Sequence, residues 1–215
     1  MKWKALFTML VLWMTVASSN AQQCESFTIS TISDEVFARM HGKSYPDGCL
    51  VDRDDLRYLQ VLYCDADGIT HSGEIVCNKL IAEDLIDIFN KLFLARYPIE
   101  LVSLIDNFDA DDEKSMTANN TSCFCYRTVN GSTKLSKHAQ GLAIDINPLY
   151  NPCVRTLKDG TLKIEPKAGK RYANRKKSSK YKLRKDDLCY RLFTEHGFFW
   201  GGNWNSVKDY QHFEK

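Results

Sequence analysis

The spacing of apolar and polar positions changes character along the chain. Across "NKLIAEDLIDIFNKLFLARYP", Ile81, Leu85, Ile88, Leu92 and Ala95 recur at intervals of three and four, and Pro98 ends the run. That period gathers them on one stripe and predicts an amphipathic helix packed on a core. Just before it, "LRYLQVLYCDADGITHSGEIVCNK" reads as strand, turn and strand, with Asp67-Gly68 in the turn region. "SDEVFARMHG" predicts a short helix capped by Ser33 and stopped at Gly42. "IELVSLIDNF" predicts a strand and "DADDEKSMTANNTS" a polar loop, while "CFCYR", "LAIDINP" and the terminal "YQHFE" predict further strands. "DDLCYRLFTEHG" predicts a second helix, with Asp186 or Asp187 as cap and Gly197 as stop. Strands and helices mix without a regular βαβ alternation. The pattern therefore predicts an α+β fold, a mainly antiparallel sheet with flanking helices.

The start of the chain has a different character. Lys2 and Lys4 precede an apolar run from Ala5 to Val16, and Ser19-Asn20-Ala21 has small residues in cleavage-site positions. This is the form of a secretory signal peptide over residues 1–21, cut after Ala21. The run is short for a membrane-spanning helix, which needs about 20 apolar residues. The expectation is a secreted or periplasmic protein with no stable membrane insertion after cleavage. Residues 22–215 then have the size of one domain with a substantial core. Without the two N-terminal lysines, 27 basic residues balance 27 acidic ones, which gives no general attraction to nucleic acid.

All eight cysteines follow the proposed cleavage point. An even count behind a signal peptide favours disulfides, and Cys64 with Cys77, on the two arms of the predicted hairpin, is the expected pair. No paired C-x-x-C motifs are present, so a cysteine-rich zinc site is disfavoured. Residues 155–185 carry thirteen Lys or Arg against two acids. A solvated loop is the favoured reading there, with contact to an anionic polymer as the alternative. Few aromatics are interleaved, which argues against a single-strand nucleic-acid platform.

The candidate chemistry lies in "LSKHAQGLAIDINP" and "DYQHFEK". A hydrolytic zinc ion takes three protein ligands and keeps a fourth position open. His138 and Asp145 offer an imidazole and a carboxylate, and Gly141 permits a tight path between them; a third ligand must come from elsewhere in the chain, and of the other histidines, at 41, 71, 196 and 212, His212 lies on the predicted terminal strand. Asp209, three residues before His212, is placed to act as general base on the attacking water.

"SKHAQGLAIDINP" and "GFFWGGNWNSVKDYQHFE" together resemble the zinc peptidase family of D-alanyl-D-alanine carboxypeptidases and L-alanyl-D-glutamate endopeptidases, which cut the peptide stems of bacterial peptidoglycan. The resemblance rests on Ser136, His138, Gly141, Ala143 and Asp145, then Trp200, Gly201, Gly202 and Trp204, then Asp209 and His212. It extends over at least Asp106 to the C-terminus. It implies the small α+β fold shared by Hedgehog domains and these peptidases, with zinc held by His138, Asp145 and His212. By the same resemblance Asp209 is the catalytic base, and Arg127 meets the polarised carbonyl oxygen. Cys123 and Cys125 depart from the usual family pattern beside that arginine. Trp200 and Trp204 read equally as groove lining or as core, and His71 with Glu74 as substrate contacts or as hairpin surface. Ser136 fits the role of orienting its loop better than that of a nucleophile.

The expected activity is zinc-dependent hydrolysis of peptidoglycan stem peptides, leaning to L-Ala–D-Glu endopeptidase with D-Ala–D-Ala carboxypeptidase next. A catalytically silent cell-wall binding module on the same zinc fold is the alternative. A base and an oxyanion cation together favour the enzyme, since a binder needs neither. The sequence does not set the oligomeric state.

Overall fold

The computed structural model describes residues 27–129, 132–176 and 178–215. The proposed signal peptide and Cys24 lie outside the described residues. In chain order the regular elements begin with β1 (Thr28–Thr31), α1 (Asp34–Met40), β2 (Leu56–Cys64), β3 (Thr70–Asn78) and α2 (Ala82–Leu94). Then come β4 (Leu101–Val102), α3 (Asp112–Thr117), β5 (Asn120–Thr121), β6 (Ala143–Asp145), β7 (Cys153–Thr156) and β8 (Leu162–Glu165). The chain finishes with α4 (Lys170–Ala173), α5 (Leu188–Glu195), β9 (Phe199–Trp200), β10 (Val207–Asp209) and β11 (His212–Glu214).

The fold is α+β. Its strands form three small antiparallel sheets, ordered β1-β2-β3, β10-β7-β8 and β6-β11-β9, together with a parallel pair, β4-β5. The helical stripe of α2 is buried as its period requires, with Leu85, Ile88, Phe89 and Leu92 in the core. On β2 the alternating Leu59, Val61 and Tyr63 join the same core. α5 adds Leu192 and Phe193, and Phe193 stacks on Phe213 of β11 with ring centroids 4.3 Å apart. Burial of α2 and α5 against these strands thus fixes the back of the β6-β11-β9 sheet. The predicted caps are in place: Ser33 Oγ accepts from Val36 N, and Asp187 Oδ1 accepts from Tyr190 N. No helix among the described residues is long and apolar enough to cross a membrane.

Five expectations are corrected. Cys64 and Cys77 cannot pair, because Cys64 lies opposite Thr70 while Cys77 lies opposite Arg57. Seven residues of strand separate those positions, roughly 23 Å, whereas bridged Cα atoms lie within about 7 Å. The seven described cysteines are all free thiols, and six of them have a thiol pushed up by burial.

The predicted strand "IELVSLIDNF" shrinks to β4 and then turns through Ile105–Phe108. Apolar burial alone does not separate strand from turn, and the turn brings Asp106 to Ser44, whose N and Oγ both donate to its carboxylate. "CFCYR" is extended but forms no strand. Its N–H groups go to three segments in succession: Phe124 N to Val76 O, Cys125 N to His138 O, and Tyr126 N to Ser44 O. The polar loop contains a helix, α3, which Asp111 caps by accepting from Lys114 N, with Asp112 and Glu113 in the first turn. The basic segment is only partly a solvated loop. It builds the β7–β8 hairpin and α4, and it packs Arg175 over Tyr210 at 4.3 Å.

Gly141 shows how closely one predicted motif is docked. It ends a short 3₁₀ turn, His138–Gln140, in the left-handed region at φ +68°. A Cβ there would stand 2.6 Å from the backbone N of Asn78 at the end of β3. Gly141→Ala should therefore cost about 1–3 kcal/mol from backbone strain and displacement together. Denaturant unfolding would measure the loss, and an unchanged midpoint would mean the turn does not press on β3.

Candidate active site

Three side chains converge at one end of the β6-β11-β9 sheet. β11 pairs antiparallel with β6 so that His212 lies opposite Asp145, Phe213 opposite Ile144 and Glu214 opposite Ala143. The strand period sends Phe213 and Ile144 into the core and turns His212, Glu214 and Asp145 to the other face. His138 arrives from the Gly141 turn. Its Nε2 lies 3.2 Å from His212 Nδ1 and 3.4 Å from Asp145 Oδ1, and His212 Nδ1 lies 3.1 Å from the same oxygen.

These distances test whether a metal fits. With bonds of about 2.0–2.1 Å, tetrahedral donors stand about 3.3–3.4 Å apart. The three atoms thus form one triangular face of such a tetrahedron. All three residues are buried and offer one ligand atom each to a common point.

The far side of each imidazole is held as well. His138 Nδ1 donates to Cys123 O at 2.6 Å, which leaves Nε2 as the lone-pair nitrogen. His212 Nε2 donates to Glu214 Oε2 at 3.1 Å, turning Nδ1 to the common point. Burial works to lower the His212 pKa, but hydrogen bonds and charge from Asp145 and Glu214 outweigh it and push it up to about 10. Burial works to raise the Asp145 carboxyl, but the two histidines outweigh it and hold it well below the usual carboxylate range. The surroundings favour positive charge between these groups.

The triad lies in a cleft of about 610 Å³ that Arg127, Asp112, Ser136, Trp204 and Asp209 also line. Asp209 closes β10 and lies opposite Cys153 on β7. Its Oδ1 is buried with no hydrogen-bond partner. Burial pushes its pKa up to about 6, although His212 pulls the other way and the Cys153 thiol donates to it. Gly201 allows this placement, since a Cβ there would stand 2.7 Å from Asp209 O and 3.3 Å from the His212 Cβ. Arg127 is ion-paired with Asp112 of α3. Burial works against its cation, but Asp112 more than offsets this and keeps it charged.

Residues 130–215 match the sequence model of the D-alanyl-D-alanine carboxypeptidase family. Over this segment the resemblance seen in the motifs is borne out. Peptidases of this family depend on a metal, and the matched segment holds all three converging donors and Asp209. It begins three residues after Arg127, whose place in the site rests on the cleft geometry. No curated protein and no solved structure matches the chain.

The remaining expected site residues divide. Ser136 lies in the cleft, where its Oγ accepts from Ala139 N and shapes the turn that carries His138. Trp204 lies in the cleft against the His212 ring, centroids 5.3 Å apart. Trp200 does not line the groove. Its register opposite Phe213 places it in the core, where Nε1 donates to Tyr210 O. His71 does not reach the cleft either. It stays near the turn of the β2–β3 hairpin, stacked on Tyr63 and paired with Asp65 at 2.8 Å.

Asp112 and Glu214 were not singled out from the sequence. The strand period of "HFE" was the available signal for Glu214, since it shares the face of His212. Asp112 had no such signal, because it acts through a helix read as loop. Glu214→Gln should weaken metal affinity about 10–100-fold by loosening the His212 ring. Chelator competition on folded protein would measure this, and an unchanged affinity would remove Glu214 from the supporting set.

Proposed function

We propose that the protein is a zinc-dependent peptidase that hydrolyses peptidoglycan stem peptides, with His138, Asp145 and His212 as the metal ligands. The observation that carries this reading is the triangular donor face, set in one cleft with an unpartnered carboxylate oxygen and a guanidinium. Two imidazoles and one carboxylate suit zinc at a catalytic site with an open fourth position. Bound there, zinc would supply Lewis-acid activation of the attacking water and of the scissile carbonyl.

The chain's own residues carry the other tasks. Asp209 takes the proton of the attacking water and returns it to the leaving amine. A pKa near 6, set by burial, suits an acid that must do both close to neutral pH. Arg127 counters the negative charge that grows on the carbonyl oxygen, and Asp112 holds its guanidinium at the cleft wall. Ser136 shapes the His138 turn, and Trp204 shields the His212 face of the cleft. The bond cut is the one between L-Ala and D-Glu, with removal of terminal D-Ala next in order. Such a substrate places the protein outside the cytoplasmic membrane, as the proposed signal peptide requires. A silent binding module is the second reading, since a buried metal could serve structure alone.

Purified muropeptides digested with zinc-loaded protein and read by mass analysis should show cleavage between L-Ala and D-Glu. Asp209→Asn should keep one zinc per chain and its unfolding midpoint, yet lose turnover by ~10²–10⁴-fold. His212→Ala should lose most of the metal. Near-normal turnover in zinc-loaded Asp209→Asn would rule out the base assignment. Binding of muropeptides by the wild type without any cleavage would favour the binding module.

A further inference from the structure

The β10-β7-β8 sheet presents one face to the cleft, and its register fixes what stands there. One row across the strands is Asp209, Cys153 and Glu165, and the next is Val207, Arg155 and Lys163. All six residues line the cleft. Arg155 and Lys163 are directly opposed across the β7–β8 pair, an arrangement of like charges that destabilises a sheet unless something answers it. Lys163 has its answer in Glu165, at 2.9 Å on the same strand. Arg155 has neither ion pair nor hydrogen-bond partner for its side chain among the described residues, and its Nε is buried. By contrast, Arg127 in the same cleft is held by Asp112.

We propose that Arg155 is a specificity residue that binds a carboxylate of the substrate beside the scissile bond. This rests on the peptidase reading above and deepens it. Arg155 and Asp209 are diagonal neighbours on adjacent strands, about 7–8 Å apart at Cα. An extended peptide advances about 3.3–3.6 Å per residue. A carboxylate one or two residues from the reacting carbonyl therefore falls under the guanidinium, whose planar fork matches it in a bidentate pair. Stem peptides offer two such groups, the free carboxylate of D-Glu and the C-terminal carboxylate of D-Ala. A cationic side chain in that place would meet the unpaired Arg155 and be disfavoured. Part of the basic character of residues 155–185 thus has its place in the cleft wall.

The test uses three synthetic stem peptides: one with both carboxylates free, one amidated at D-Glu, and one amidated at the C-terminus. Each is assayed with zinc-loaded wild type, Arg155→Gln and Arg155→Lys, after unfolding midpoints and zinc content are shown to match. A charge-assisted contact of this kind should make the peptide with the relevant free carboxylate better by roughly ten- to a hundredfold in kcat/KM. Arg155→Gln should raise KM for that peptide by a similar factor, leave kcat near its wild-type value, and abolish the preference over the amide. Arg155→Lys should restore part of it. The amide that loses the preference identifies which carboxylate is bound.

Equal effects of Arg155→Gln on acid and amide peptides would overturn the proposal, because they would mean that Arg155 acts on the machinery around Asp209. So would no effect on either. If the wild type cuts none of the peptides, the peptidase reading fails separately. Calorimetric binding of the same peptides then decides the subsite: acid over amide, lost in Arg155→Gln, supports it, and equal or absent binding overturns it.

Discussion

Everything at the site depends on the register of β11 against β6. His212 faces Asp145 because Phe213 faces Ile144, and Phe213 is fully buried against Phe193 and Trp200. A slip of one residue would send Phe213 to the cleft and His212 into the apolar core. That exchange would forfeit burial of a whole aromatic side chain, worth about 1.5–3 kcal/mol. It would also leave an imidazole unpaired in the core. The core therefore selects the candidate metal site: α2 and α5 hold the back of the sheet, and His212 and Asp145 appear on its front by alternation.

His138 and Arg127 are then placed by backbone contacts on that frame. The segment Cys123–Arg127 runs between β3 and the His138 turn, giving N–H groups to Val76 O and His138 O in turn. Its carbonyl at Cys123 takes the His138 Nδ1 proton. One stretch thus aims an imidazole with its first residue and a guanidinium with its last. Free thiols at Cys123 and Cys125 fill the small space between, where burial keeps them protonated and away from thiolate chemistry.

What could be read in the sequence follows the range of the interactions involved. The long α2 stripe, the β2–β3 hairpin, the caps at Ser33 and Asp187 and the two motif strands are decided by neighbours a few residues apart, and the structure has them. α3 is only six residues long and owes its existence to the Asp111 cap and to the Asp112 pairing with Arg127, fifteen positions away. The same holds for Trp200 and Trp204. They belong to one motif, yet the turn at Gly201–Asn203 sends the first behind the sheet and the second over His212. Cys64 and Cys77 were expected to meet because they lie on opposite arms of a hairpin. Pairing in a hairpin is mirrored about its turn, so a residue adjacent to the turn can meet only another beside it.

The charges in the cleft complete the argument. Asp112 has Arg127, Glu165 has Lys163, and Glu214 and Asp145 have the histidines. Asp209 has a thiol and a buried oxygen without a partner. Burial therefore governs it and raises its pKa to about 6, while Asp145, equally enclosed, is carried the other way by two imidazoles. Two carboxylates of one cleft, carried by different sheets, are thus pushed apart in acidity by their surroundings and by the charge of Asp145 on Asp209. The lower one stays charged, which suits the ligand role proposed for Asp145, and the higher one exchanges a proton near neutrality, which suits the base role proposed for Asp209.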